Sequence, residues 1–406
     1  MGPILLFDKS FLQSLTIDES VWLDAYFVTN ICPMFYVETL ADIGKTGARG
    51  RNSLDMVRII AEKFPQINSG PCAYHQDMVI SSLIGYDIPQ TGQVPLPESR
   101  LVEVDGKLGV VSEESPVAYA FERWQKGRFL EIEKEFSKVW RNAINSVNIS
   151  SEARILEKLG INLLSSKDLE EIYQSANNLV QSPVNEESLG YILDLISVPT
   201  VDRPKIIERW KNVGKPTIQQ FAPYAAFVTK IETFYIISCS AGLAYTGRPS
   251  TKVDVAYMYY LPFCMVFTSS DKFHLHSAPL FLRPNQDFIW GSELKAALRW
   301  LNSYFSSLPD SEKARGVQSM SSNLPKGSPE VLVRLWDKHL PRWREVTSKR
   351  TESREEMLSK IMEYSKKMES APTFNIEPES YKVKDLQGSL TKRKIRKKRG
   401  SWNIIP

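Results

Sequence analysis

An α/β fold built on a central, mostly parallel sheet and interrupted by a large, mainly helical insertion is what this sequence predicts. Three observations carry the expectation. The chain opens strand, helices, strand, helix. Two short apolar runs, one near the start and one two thirds of the way along, each lead into an aspartate. Between them lies a long stretch of charged helical segments separated by turns.

Ile4 to Phe7 has no helical period, follows Pro3 and stops at Asp8, which suits a buried strand delivering an acid to its carboxyl end. Phe11, Leu12 and Leu15 then recur at helical spacing. Ile17-Asp18-Glu19-Ser20 reads as a second helix start, with Val21, Trp22 and Tyr26 along one face. Val28 to Cys32 is expected as the next strand. Pro33 opens a helix through Phe35 and Ile43 that Gly44 stops. In the middle, Asp105-Gly106 joins Arg100–Val104 to Lys107–Val111 as a two-residue hairpin. Residues 118–147 and 151–180 read as amphipathic helices, the first with Phe121, Trp124, Phe129, Phe136 and Trp140 as core positions. Helices are expected over 204–210 and over 223–242, the latter apolar nearly all round. A turn at 247–250 precedes a helix beginning at Lys252 and ended by Pro262. Phe263 to Ser269 is then a strand leading to Asp271, and 292–308 is amphipathic. The expected division is a discontinuous core, 1–45 with 204–308, around an insertion, 46–203. A helical or irregular extension, 309–391, loosely packed beyond Glu369, and a basic tail, 392–406, follow.

At 406 residues, 42% hydrophobic and 24% charged, collagen-like, disordered and disulfide-stapled classes are excluded. No run approaches the roughly 20 apolar residues that a membrane helix needs, and no signal peptide is visible, so a cytoplasmic address is expected. The four cysteines form no CxxC pair and only four histidines are present, so reduced buried thiols are expected and zinc is not. The net charge of +4 is uneven: KRKIRKKR, from Lys392 to Arg399, holds seven cations, and the remaining 44 cations and 47 anions leave the rest at −3.

Four carboxylates stand out by position: Asp8 and Asp271 after buried strands, Glu38 near the start of one helix and Asp254 near the start of another. In an open parallel sheet such acids converge at the carboxyl ends of the strands. Crowded carboxylates repel, and a hard ion such as Mg²⁺ or Mn²⁺ relieves them. The pattern ILLFDKS, PMFYVETLAD, VDVAYMYYLPF and MVFTSSDKFH resembles the PIN-like nuclease domain over residues 1–45 and 220–305. The resemblance implies a three-layer core and a catalytic, metal-binding set of Asp8, Glu38, Asp254 and Asp271, with Ser269 or Ser270 as the hydroxyl beside the last. Asp42, one helical turn after Glu38, is an alternative ligand or a supporting partner. The interval between Glu38 and Asp254 is far longer than in a minimal domain of that family, which the insertion accounts for.

The activity so implied is metal-assisted hydrolysis of phosphodiester bonds, in RNA before DNA. Lys9 and Lys272, each following a strand-end acid, are candidates to offset phosphate charge. His274 and His276 alternate along what reads as an extended segment, with a general-base role for either weighed against a surface or hydrogen-bonded position. The basic run Lys392, Arg393, Lys394, Arg396, Lys397, Lys398 and Arg399 is suited to phosphate backbones through counterion release, and equally to a nuclear localisation signal in a eukaryote, an anionic membrane contact or a solvated tail with no role. A haloacid-dehalogenase-like phosphatase is disfavoured because Ser10 stands where its second acid belongs. The alternative is a catalytically inactive scaffold binding nucleic acid or protein, or a nuclease held by a regulatory partner.

Overall fold

The computed structural model describes residues 2–405 apart from 45–51, 98, 114–115, 146–148, 164–167, 244–250, 346–353, 376, 378–379, 381 and 392. β1 (Ile4–Phe7) is followed by α1 (Lys9–Ser14) and α2 (Ile17–Tyr26). A capping box fixes the second helix: Thr16 Oγ1 accepts from the Glu19 amide while the Glu19 carboxylate accepts from the Thr16 amide. β2 (Val28–Ile31) lies parallel to β1, and α3 (Pro33–Ala41) starts on its proline and runs into a 3-10 turn, Asp42–Gly44. The alternation then continues with α4 (Ser53–Lys63), β3 (Ser69–Pro71) and α5 (His75–Ile84). β3 pairs in parallel with β2, Ile31 opposite Pro71. The segment expected as an insertion from residue 46 therefore supplies the sheet's outer strand. With three residues, Ser-Gly-Pro, it has no apolar run to announce it, and its proline is tolerated because the strand is an edge.

β4 (Ser99–Val104) and β5 (Lys107–Ser112) form the expected hairpin, with Asp105 and Gly106 both at positive φ. The helical region comprises α6 (Pro116–Gln125), α7 (Glu131–Asn145), α8 (Ile149–Lys158), α9 (Leu169–Gln181), α10 (Glu186–Leu195), α11 (Arg203–Asn212) and α12 (Ile218–Phe221). Each long helix expected there is two: the first breaks near Gly127 and the second near Gly160, glycines at positive φ that end a helix at little steric cost. The expectation that Phe136 belongs to the core fails, because Ser137, beside it, takes the inward position on α7 and bonds the Ala41 carbonyl and the Gly44 amide. α13 (Pro223–Ser240) is buried nearly all round, as its composition requires. The expected turn at 247–250 lies outside the described residues.

α14 (Thr251–Met258) precedes β6 (Val266–Ser269), which starts later than expected because Leu261–Phe263 form a 3-10 turn. α15 (Lys272–Phe281), β7 (Asp287–Trp290) and α16 (Gly291–Ser306) complete the core. β6 pairs in parallel with β1 and β7 with β6, giving the five-stranded order β3-β2-β1-β6-β7. The order reverses between β1 and β6. That is where a parallel sheet opens a crevice at its carboxyl end.

The remainder holds α17 (Asp310–Lys313), α18 (Val317–Met320), α19 (Glu330–His339), α20 (Arg354–Ser370), β8 (Leu386–Thr391), β9 (Lys398–Arg399) and β10 (Trp402–Asn403). The chain beyond Glu369 was expected to be loose. Part of it is docked: β8 extends the hairpin sheet by pairing with β5, and Arg399 is buried in an ion pair with Asp24 while donating to Ser20 Oγ and the Lys63 carbonyl. Trp402 meets Trp22 edge to face and donates to Asn302 Oδ1. Among the described residues no helix is long and apolar enough to cross a membrane.

Candidate active site

Asp8 leaves β1 as the N-cap of α1. Its Oδ1 accepts from the Phe11 amide, and its Oδ2 accepts from Ser10 Oγ and Ser269 Oγ, each at 2.7 Å. The residue that argued against a phosphatase is thus a hydrogen-bond donor to the strand-end acid. Asp271 caps α15 in the same way, its Oδ1 accepting from the Phe273 amide.

The links between the two strand ends fix the protonation of His274. Ser269 Oγ directs its hydrogen at Asp8 and accepts from the Asp271 amide at 2.9 Å, so it meets His274 Nδ1, 2.8 Å away, as an acceptor. His274 Nε2 lies 2.7 Å from the Asp254 carbonyl, which only accepts. Both ring nitrogens therefore carry protons and the fully buried ring is an imidazolium. Burial alone would lower its pKa; the Asp8 carboxylate, 3.6 Å from Nδ1, helped by Asp254, lifts it to about 9. The Asp8 carboxyl, which burial would raise, is held below its ordinary value chiefly by His274.

On the other side of the crevice Lys9 is buried between α1 and α3, 3.0 Å from Glu38 Oε1 and 2.8 Å from Asp42 Oδ2. Against the penalty of burial, those two acids raise its pKa. The other Glu38 oxygen accepts from Tyr257 Oη at 2.8 Å.

Asp254, half-buried on α14, differs from the rest. Among the described residues its carboxylate has no hydrogen-bond partner. Its pKa rises to about 8, first through burial and then through the charges of Asp271, Glu38 and Asp8, with His274 opposing. Five carboxyls thus face two cations, and the crowding is relieved by Asp254 keeping its proton.

All four predicted acids, with Asp42 and Ser269, gather at the reversal point of the sheet. Three expectations are corrected. Lys9 does not face solvent or substrate; its ammonium is enclosed by Glu38 and Asp42. His274 and His276 are on α15, not an extended segment, because Asp271 caps a helix there; His276 is exposed. The C-terminal cations are divided: Arg399 is buried, Arg396 donates to Gln66 Oε1 and the Glu62 carbonyl, and Arg393 donates to Ser69 Oγ. Lys394, Lys397 and Lys398 are exposed, as is Lys272, and Lys392 lies outside the described residues. Ser270 turns away from Asp8 toward the start of α16, where a Cβ at Gly291 would come within 2.1 Å of its Oγ. A hydrogen-bonded histidine was among the expectations, but sequence reasoning missed which groups His274 joins, and it missed the Tyr257 bond. Both had a signal: His274 is the third residue after a helix-capping aspartate, and Tyr257 sits one turn after Asp254.

The donor set suits a hard cation in kind, being all oxygen. Asp254 and Asp271, within electrostatic reach of each other, are the acids with capacity left, while the oxygens of Asp8 and Glu38 are engaged. Among the described residues no group of three or more His, Cys, Asp or Glu side chains is arranged to hold a metal ion. Two carboxylates completed by water and substrate phosphate are the usual protein share of a Mg²⁺ site. A cavity of about 800 Å³ lies apart from these acids, at the carboxyl ends of β2 and β3 between Phe64, Cys72, Leu96 and Ile395. No family model matches the chain, and neither does any curated protein or solved structure.

Proposed function

We propose that the chain hydrolyses phosphodiester bonds of nucleic acid, RNA in preference to DNA, with a Mg²⁺ or Mn²⁺ ion held by Asp254 and Asp271. The observation that carries the reading is Asp254: a half-buried carboxyl lifted to about 8, without a hydrogen-bond partner among the described residues, beside three other acids. When bound there, a divalent ion supplies Lewis-acid polarisation of a phosphate oxygen and a water of lowered pKa. The protein's own residues hold the frame. His274, as an imidazolium, fixes Ser269 and through it Asp8 and the Asp271 amide; Lys9 fixes Glu38 and Asp42. Asp254 gives up its proton as cation binding offsets the surrounding negative charge. Exposed Lys272, next to Asp271, meets phosphate. Lys394, Lys397 and Lys398 add sequence-independent attraction.

Cleavage of a labelled single strand in Mg²⁺ tests this. Asp254→Asn and Asp271→Asn are expected to lower the rate at least about a hundredfold, with chelator abolishing it. Alanine at Lys394, Lys397 and Lys398 is expected to weaken binding and spare turnover at saturation. A second reading rests on Lys9 and His274, which already neutralise part of the acid cluster: a scaffold that binds nucleic acid or protein without cleaving. No cleavage in any divalent metal, with binding intact, would select that reading.

A further inference from the structure

The cavity of about 800 Å³ at the carboxyl ends of β2 and β3 plays no part in the proposed cleavage. Its volume is that of a pocket for a small organic molecule. Cys32 and Cys72, which follow the paired strand residues Ile31 and Pro71, line it together with Phe64, Leu96 and Val117. Burial keeps both thiols protonated, pushing that of Cys32 up to about 12 and that of Cys72 well above its ordinary value, so this part of the lining is apolar. Five lining residues are prolines, whose fixed φ makes the walls stiff and the shape preformed. Residues 393–396 of the C-terminal segment also line the cavity, and they bring charge to it.

The charged lining consists of Asp77, Glu113, Glu122, Lys126, Arg393, Lys394 and Arg396, a surplus of one positive charge. Glu122 pairs with Lys126 at 2.7 Å and also feels Lys394, which lies over the Tyr119 ring. Asp77 and Glu113 are exposed, so water and salt screen them, whereas Arg393 and Arg396 are half-buried and act at longer range into the cavity. Arg393 donates to Ser69 Oγ at 2.6 Å. Arg396 spends Nε on Gln66 Oε1 and Nη2 on the Glu62 carbonyl, and among the described residues no carboxylate forms an ion pair with it. Asp24, the buried acid nearby, is taken up by Arg399. Burial, and then the charge of Arg399, bring the Arg396 pKa down to about 10, and an anion beside it would offset both. A nucleotide carries more negative charge than the single surplus matches. We infer that this cavity binds an amphipathic monoanion of the fatty-acid class, its hydrocarbon body against Cys32, Cys72 and Leu96 and its carboxylate at Arg396. The inference is independent of whether the acid cluster cleaves nucleic acid.

Calorimetric titration of the full chain with decanoate at pH 7.5 tests this. One molecule is expected to bind per chain with a dissociation constant below about 100 μM. Butanoate has the head without the chain, and decyltrimethylammonium has the chain with the opposite charge; each should bind at least about tenfold more weakly. Arg396→Gln is expected to weaken decanoate binding about tenfold. Ala118→Trp, which fills the cavity and leaves the bonds of the C-terminal segment in place, should weaken it more, with circular dichroism confirming that both variants are folded. Amide hydrogen exchange in residues 393–396 should slow when decanoate binds to wild type. Absence of decanoate binding would overturn the proposal, as would equal affinity for decyltrimethylammonium or butanoate. So would a decanoate affinity that neither substitution changes.

Discussion

Two regions dense in charge, the C-terminal segment and the acid cluster, use that charge in opposite ways. In the C-terminal segment each described arginine meets a fixed acceptor. Arg399 meets Asp24, whose oxygens also accept from the amides of Gln66, Ile67 and Asn68, and Arg396 and Arg393 meet a carbonyl and side-chain oxygens. At the carboxyl ends of β1 and β6 the acids outnumber Lys9 and His274, and Asp254 stays protonated far above its ordinary 3.8. A matched charge holds the fold together. An unmatched carboxyl, kept in place by matched neighbours, is what the proposed cation would engage.

Breaking the matched pair should give the largest effect. Arg399→Met leaves Asp24 buried with only its backbone donors. It is expected to cost about 3–5 kcal/mol of unfolding free energy by denaturant titration; a loss under about 1 kcal/mol would mean that the segment is not anchored as described. At the unmatched site the sign reverses. A carboxyl with its folded-state pKa raised from 3.8 to about 8 stabilises below pH 3.8, and that contribution is lost as pH climbs to 8. Asp254→Asn removes the penalty, so the variant should exceed wild type above pH 8 by on the order of 3 kcal/mol and converge with it near pH 4. Thermal melts at the two pH values read the difference.

His274 sharpens the contrast. Its pKa rises from 6.5 to about 9 on folding, so its contribution is fully present below pH 6.5 and disappears by about pH 9. His274→Gln should therefore cost about 2 kcal/mol at pH 6 and far less above pH 9. Nitrogen NMR shifts of the ring at pH 7.5 should report two bonded protons; a neutral ring would refute the hydrogen-bond assignment. The smallest effect belongs to the exposed lysines: alanine at Lys397 and Lys398 should change stability by less than about 0.5 kcal/mol.

Much of this frame was legible. β1 and β6 announced themselves as apolar runs leading into acids, and Pro33 marked where α3 begins. β3 was not legible, since its pairing with β2 comes from the path of the chain and not from its own three residues. The C-terminal run was misread for a related reason: composition gives the charge of Arg399 but not the presence of Asp24, 375 residues earlier, to meet it. At the site, the acids were found by position. Lys9 and Asp42 were noticed singly, and their pairing depends on how α1 and α3 pack, which no local pattern encodes.

The central claim is that surplus carboxylate at Asp254 recruits a divalent cation. Calorimetric titration of Mn²⁺ into the full chain at pH 7.5 tests it most directly. One saturable site, accompanied by proton release and abolished in a folded Asp254→Asn variant, is the expected result. No binding to wild type, or equal binding to both proteins, would contradict it.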